Sequence, residues 1–140
     1  MLIYTPLAYD SFCTLLAYNR SVEFIEAPAF TRYLSSYMND DNYHQLQAKL
    51  KANPDLGTLM PGTGGFRKLR WGDVRRSKGK RSGLRIIYYH FPSEHQIWLM
   101  TLYDKDEASD LTAEQKKALK SAIEKETAAR AARQKRSLTK

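Results

Sequence analysis

Cysteine and histidine are scarce in this chain: its 140 residues include one Cys, Cys13, and three His. A single thiol excludes an internal disulfide framework and any zinc site built on cysteines. It suits a reducing compartment, so a cytoplasmic location is expected. No stretch reaches the roughly 18 consecutive apolar residues of a membrane span. The apolar opening MLIYTPLAYDSFCTLLAYNR has no Lys or Arg before Arg20 and is interrupted by Pro6, Asp10 and Asn19, so it reads as neither secretory signal nor anchor. Also absent are a nucleophile elbow, an HExxH pair, an EF-hand loop and a kinase signature. The glycine run of Pro61-Gly62-Thr63-Gly64-Gly65 lacks both the Walker ending and the dinucleotide spacing, and a loop leading the chain into a strand is the reading preferred over a phosphate cradle.

What the chain has in excess is positive charge, and it is concentrated. Lys and Arg number 23 against 15 Asp and Glu, a formal charge of +8. The window FRKLRWGDVRRSKGKRSGLR, Phe66 to Arg85, holds nine basic residues and one acid, Asp73, so it alone equals that net charge. Residues 112 to 140 are basic as well, and the rest of the chain is mildly acidic. A patch this dense predicts a polyanionic partner, because each cation that neutralises a phosphate releases condensed counterions.

The length of the chain suits one domain, and residues 126 to 140 read as a basic tail whose far end frays. Val22 to Glu26 suits a short strand. Pro28 opens a helix whose Phe30, Tyr33, Leu34 and Tyr37 fall at i, i+3, i+4 and i+7, an apolar stripe expected to pack on a sheet. Asn39, Asp40 and Asp41 cap a second helix, with Tyr43, Leu46 and Leu50 on its inner face, which ends at Asn53-Pro54. Phe66 to Trp71, Leu84 to Phe91 and Ile97 to Tyr103 read as strands, the last two joined by a turn at Pro92-Ser93-Glu94. Thr112-Ala-Glu-Gln115 is a capping box that starts a terminal helix. The expected fold is α+β: a small, mainly antiparallel sheet with two N-terminal helices packed on one face and a C-terminal helix.

Arg, Lys and aromatic residues without a histidine pair suit phosphoryl transfer on RNA without a metal. The 2′-hydroxyl attacks the adjacent phosphate, cations stabilise the pentavalent transition state, and an aromatic ring stacks an unpaired base. The acids Asp104, Asp106, Glu107 and Asp110 crowd one stretch, but helix capping explains Asp110 better than a magnesium site does. No metal or cofactor is expected.

The runs GTGGFRKLRW, KGKRSG, LRIIYY and LYDKDEASDLTAEQKK, in this order between Val22 and Ile123, resemble the HigB-type branch of the RelE/ParE toxin superfamily. The resemblance implies a toxin of a type II toxin–antitoxin module. Such a toxin enters the A site of the small ribosomal subunit, cleaves the mRNA there, and is neutralised by a cognate helix-turn-helix antitoxin. The resemblance places phosphate stabilisation on Arg70 and Arg85, proton transfer on Lys68 or Lys105, and base stacking on Tyr103 or Tyr88. Arg67, Arg75, Arg76, Lys78, Lys80 and Arg81 join these as RNA-binding candidates. Strand alternation sets Lys68 and Arg70 on one face and Arg67 on the other. The chain departs from the RelE-type pattern at Asp110-Leu111-Thr112, where those enzymes carry a Tyr, and in a longer loop from Gly72 to Gly83. The resemblance implies a toxin domain over residues 22 to 125; residues 1 to 21 lie outside it as an N-terminal extension, read as a start placed upstream or a true extension. Two alternatives stay open: a ParE-like poison of DNA gyrase, and a non-catalytic RNA-binding regulatory module.

Overall fold

The computed structural model describes residues 22–72, 83–105 and 110–138. In chain order the elements are β1 (Glu23–Glu26), α1 (Pro28–Tyr37), α2 (Asp40–Ala52), β2 (Thr58–Leu59), β3 (Arg67–Trp71), β4 (Leu84–Phe91), β5 (Gln96–Asp104) and α3 (Ala113–Leu138). The five strands form one sheet in the order β1-β5-β4-β3-β2. β1 runs parallel to β5, and every other pairing is antiparallel. The fold is α+β, as expected. β2 went unforeseen because two residues carry no periodicity.

Helices α1 and α2 cover one face. Phe30, Met38, Leu46 and Leu50 pack there on Leu69, Trp71, Leu84, Ile86, Tyr88, Ile97, Leu99 and Leu102. The Asn39 side chain caps α2 by accepting from the Asn42 N–H at 2.8 Å. Asn42, itself buried, accepts from the Trp71 indole N–H at 3.1 Å, which ties the start of α2 to β3. The opposite face is covered by α3, whose Leu119 and Ile123 pack on Met60, Phe66, Ile87 and Phe91.

The capping box forms as the sequence predicts: the Thr112 hydroxyl accepts from the Gln115 N–H at 3.1 Å, and the Gln115 side chain accepts from the Thr112 N–H at 2.8 Å. The helix continues to Leu138, and Arg130 within it lies 3.8 Å over the Phe91 ring and bridges Glu126 and Glu94. Residues 126 to 138 are therefore the second half of one helix. The glycine run is structural: the Thr63 hydroxyl donates to Met60 O and accepts from the Phe66 N–H. A Cβ on Gly64, whose φ is +79°, would come within 2.9 Å of Ile123 Cγ2.

One irregularity sets the geometry of the candidate site. Between β4 and β5 the register jumps from Tyr88↔Leu99 to Ile87↔Thr101, leaving Met100 as a bulge. Side-chain parity along β5 reverses there. Ile97 and Leu99 face α1 and α2, and after the bulge Leu102 does so, while Tyr103 joins Trp98 and Met100 on the α3 face. Unbroken alternation would have put Tyr103 with Leu99.

Candidate nucleic-acid interface

Cross-strand register assembles the site. Arg70 pairs with Arg85, and Arg85 with Tyr103, so the three stand in a row across β3, β4 and β5 on the α3 face. Adjacent strands lie about 4.8 Å apart, so the row spans roughly 10 Å. Lys68 stands one position along, in the row Lys68–Ile87–Thr101 on the same face. Its ammonium is 3.3 Å from Asp110, and Asp110 is also 3.2 Å from Lys116 in the first turn of α3.

The members differ in exposure. Arg70 is exposed. Arg85 is only 5% exposed, and its guanidinium donates to Leu84 O. Burial, and then the charge of Arg70, pull the Arg85 pKa below its ordinary value, which means that its cation is held at a disadvantage that an arriving oxyanion relieves. Burial alone would raise the pKa of the Asp110 carboxyl. The Leu111 N–H and the Lys116 and Lys68 ammoniums outweigh it and hold the carboxyl below the usual carboxylate value. Asp110 is therefore an anion at neutral pH and accepts hydrogen bonds only. Tyr103 is shifted upward by burial and then by Asp110, with Arg85 opposing.

Two openings flank the row. A groove of about 570 Å³ runs along the outer side of β3 past Gly57, Thr58, Lys68 and Arg70. On the other side, a cleft of about 320 Å³ lies between α1, β5 and the start of α3. It exists because Ala27-Pro28 turns the chain into α1, so β1 accompanies β5 only as far as Leu99.

Two of the expected RNA contacts lie on the α1/α2 face. Arg67 faces the α1/α2 side opposite Tyr88, where its guanidinium donates to Gly57 O at 2.7 Å and to Asp55 O at 3.3 Å, so it is occupied in pinning the α2–β2 loop. Tyr88 is fully buried, donates to Pro54 O at 2.7 Å and accepts from the Gly57 N–H at 2.8 Å. A ring with no exposed surface stacks no base, so Tyr103 remains of the two stacking candidates. Lys105 follows β5, its backbone N–H bound to Gly83 O. Arg75, Arg76, Lys78, Lys80 and Arg81 lie outside the described residues. So do Asp106 and Glu107, and among the described residues no three His, Cys, Asp or Glu side chains gather as a metal site would need.

Sequence reasoning missed Asp110 as a partner of Lys68, 42 positions away. The signal is its place just before the α3 capping box, which on sequence alone reads as capping. It also missed Tyr33, which is 41% exposed although its helical spacing assigned it to the core.

No family model matches the chain. Among solved structures it is similar to a mutant of the E. coli toxin RelE in the free state, at 12% identity and a TM-score of 0.42, over 64% of this chain and 88% of that one. Among the described residues no helix is long and apolar enough to cross a membrane.

Proposed function

We propose that this chain is an RNA-cleaving toxin of the RelE/ParE superfamily, a metal-independent endoribonuclease that cuts mRNA in the ribosomal A site and is held in check by a helix-turn-helix antitoxin. The observation that carries the reading is the row Arg70–Arg85–Tyr103 with Lys68 beside it, three cations and a tyrosine on one face of three neighbouring strands. Three cations favour a phosphodiester and repel a divalent cation, so charge stabilisation falls to the side chains themselves.

In the reaction the RNA 2′-hydroxyl gives up its proton to water as its oxygen bonds to the adjacent phosphorus and the bond from phosphorus to the 5′-oxygen breaks. Arg70 and Arg85 neutralise the non-bridging oxygens. Lys68, oriented by Asp110, gives a proton to the departing 5′-oxygen, and Lys105 is the second candidate for proton transfer. The products are a 2′,3′-cyclic phosphate and a 5′-hydroxyl.

The test is tightly controlled expression of the chain and of Arg70→Ala, with mRNA ends mapped and DNA replication followed. The expected result is cuts inside translated codons that the variant does not make, and that a 2′-deoxy nucleotide at the cut site blocks on ribosome-bound mRNA. Growth arrest with intact mRNA and damaged DNA would instead favour the gyrase reading.

A further inference from the structure

A third opening, of about 350 Å³, has no part in the phosphate chemistry and is mostly apolar. Ala27, Pro28 and Ala29 line it on one side, Leu111, Ala118 and Leu119 on the other, and Met100 of β5 lines it as well. We infer that Met100 is a modification site, a methionine whose oxidation to the sulfoxide by a peroxide loosens the start of α3 from the sheet and so disables the cationic row. The loss of cleavage rests on the proposed RNA-cleaving reading; the oxidation and its effect on stability do not.

Three observations converge. Met38 and Met60 are 5% and 6% exposed inside the two cores, whereas Met100 is half-buried and borders the groove. An oxidant entering the groove therefore reaches the Met100 sulfur first, since exposure governs which sulfur is oxidised. Met100 is also the extra residue of the β5 bulge, the irregularity that turns Tyr103 onto the face of Arg85. A bulge beside a site re-aims its side chains, so disturbing the bulge disturbs the site. Finally, the α3 wall of the groove is the segment that holds Asp110. The Leu111 N–H donates to the Asp110 carboxylate at 2.8 Å, and Gln115, whose side chain caps α3 at the Thr112 N–H, lines the same groove.

In the oxidation a lone pair on the Met100 sulfur takes one oxygen from hydrogen peroxide. The O–O bond breaks, and the departing hydroxide collects the remaining proton and leaves as water. Sulfur loses two electrons and the peroxide gains them. A flexible apolar side chain thereby becomes a polar one with a strong acceptor oxygen. The apolar walls offer that oxygen no donor, and burying it unpaired is costly. It must draw water into the groove or pull Gln115 off the cap, and either course parts the first turn of α3 from β5. A thiol-dependent reductase reverses the change, releasing the oxygen as water and ending as a disulfide.

The experiment is graded hydrogen peroxide treatment of the full chain carrying Cys13→Ser, so that sulfur oxidation is read from methionine alone. Peptide mass mapping, melting and cleavage are then measured. Met100 should gain one oxygen before Met38 or Met60, the melting temperature should fall by about 4 °C, and most cleavage should be lost. Methionine sulfoxide reductase with a thiol should restore both. Met100→Leu, which conserves volume and apolarity, should cleave like the untreated chain and withstand peroxide. Met100→Gln, polar without peroxide, should show the lower melting temperature from the outset. Oxygen uptake at Met38 or Met60 as ready as at Met100, or a Met100 sulfoxide that melts and cleaves as before, overturns the inference. Equal losses under peroxide in Met100→Leu overturn it as well. A chain that melts lower once Met100 is oxidised but cleaves no RNA in either state refutes the nuclease reading and leaves the modification site standing.

Discussion

Arg70 and Arg85 are cross-strand neighbours of one residue type with opposite surroundings, and the difference is measurable. Arg70 is exposed, so Arg70→Ala should abolish cleavage while unfolding free energy stays within about 0.5 kcal/mol of wild type. Tyr88 should behave in the reverse sense. Its hydroxyl satisfies the Gly57 N–H and Pro54 O at the end of the α2–β2 loop, and removing it strands both groups. Tyr88→Phe should therefore cost about 1–3 kcal/mol in urea unfolding with cleavage retained. Loss of cleavage without loss of stability in Tyr88→Phe would place that ring on the RNA after all.

At the scale of elements, α3 does two jobs. Its body covers the sheet through Leu119 and Ile123, and its first turn presents Lys116 to Asp110. Removing the cap with Thr112→Ala should cost about 1 kcal/mol of stability and loosen the segment that holds Lys68, so a drop in cleavage rate should accompany it. The same junction responds to pH. Asp110 is held below the ordinary carboxylate value in the folded protein, so its stabilising contribution is complete above that value, about 3.9, and is lost as pH falls through the lower folded value. A melting series from pH 5 to pH 2 should therefore be flatter for Asp110→Asn than for wild type. The carboxylate is 44% exposed, so solvent screening keeps the difference small.

For the whole molecule, the +8 charge matters through where the fold puts it. RNA binding should weaken linearly in log affinity against log salt, by about 0.7 for each phosphate neutralised on a single strand. Arg70→Ala should reduce that slope by about 0.7, whereas Arg67→Ala, on the other face and tied to Gly57 O, should leave it unchanged. Equal slopes for all three proteins would mean that cations elsewhere provide the affinity.

Much of this was legible in the chain itself. Helix spacing, the Asn39 cap, the capping box and the two long apolar strands are local signals, each written within about ten residues, and the α+β fold follows from their order. The charge window too is a property of sequence alone, and period-two alternation is enough to separate Lys68 and Arg70 from Arg67. What the chain did not state is the face on which distant residues meet. The bulge at Met100 carries no marker such as glycine, yet it turns Tyr103 towards Arg85. The pairing of Lys68 with Asp110 joins positions 42 apart, and the exposure of Tyr33 depends on how far α3 lies from α1. Burial of Arg85 and Tyr88 is likewise decided by what packs over them, and a periodic pattern read along one strand contains no information about its neighbours. Local periodicity therefore determined the elements and their charge, while strand register and helix placement decided which of those charges and rings share a site.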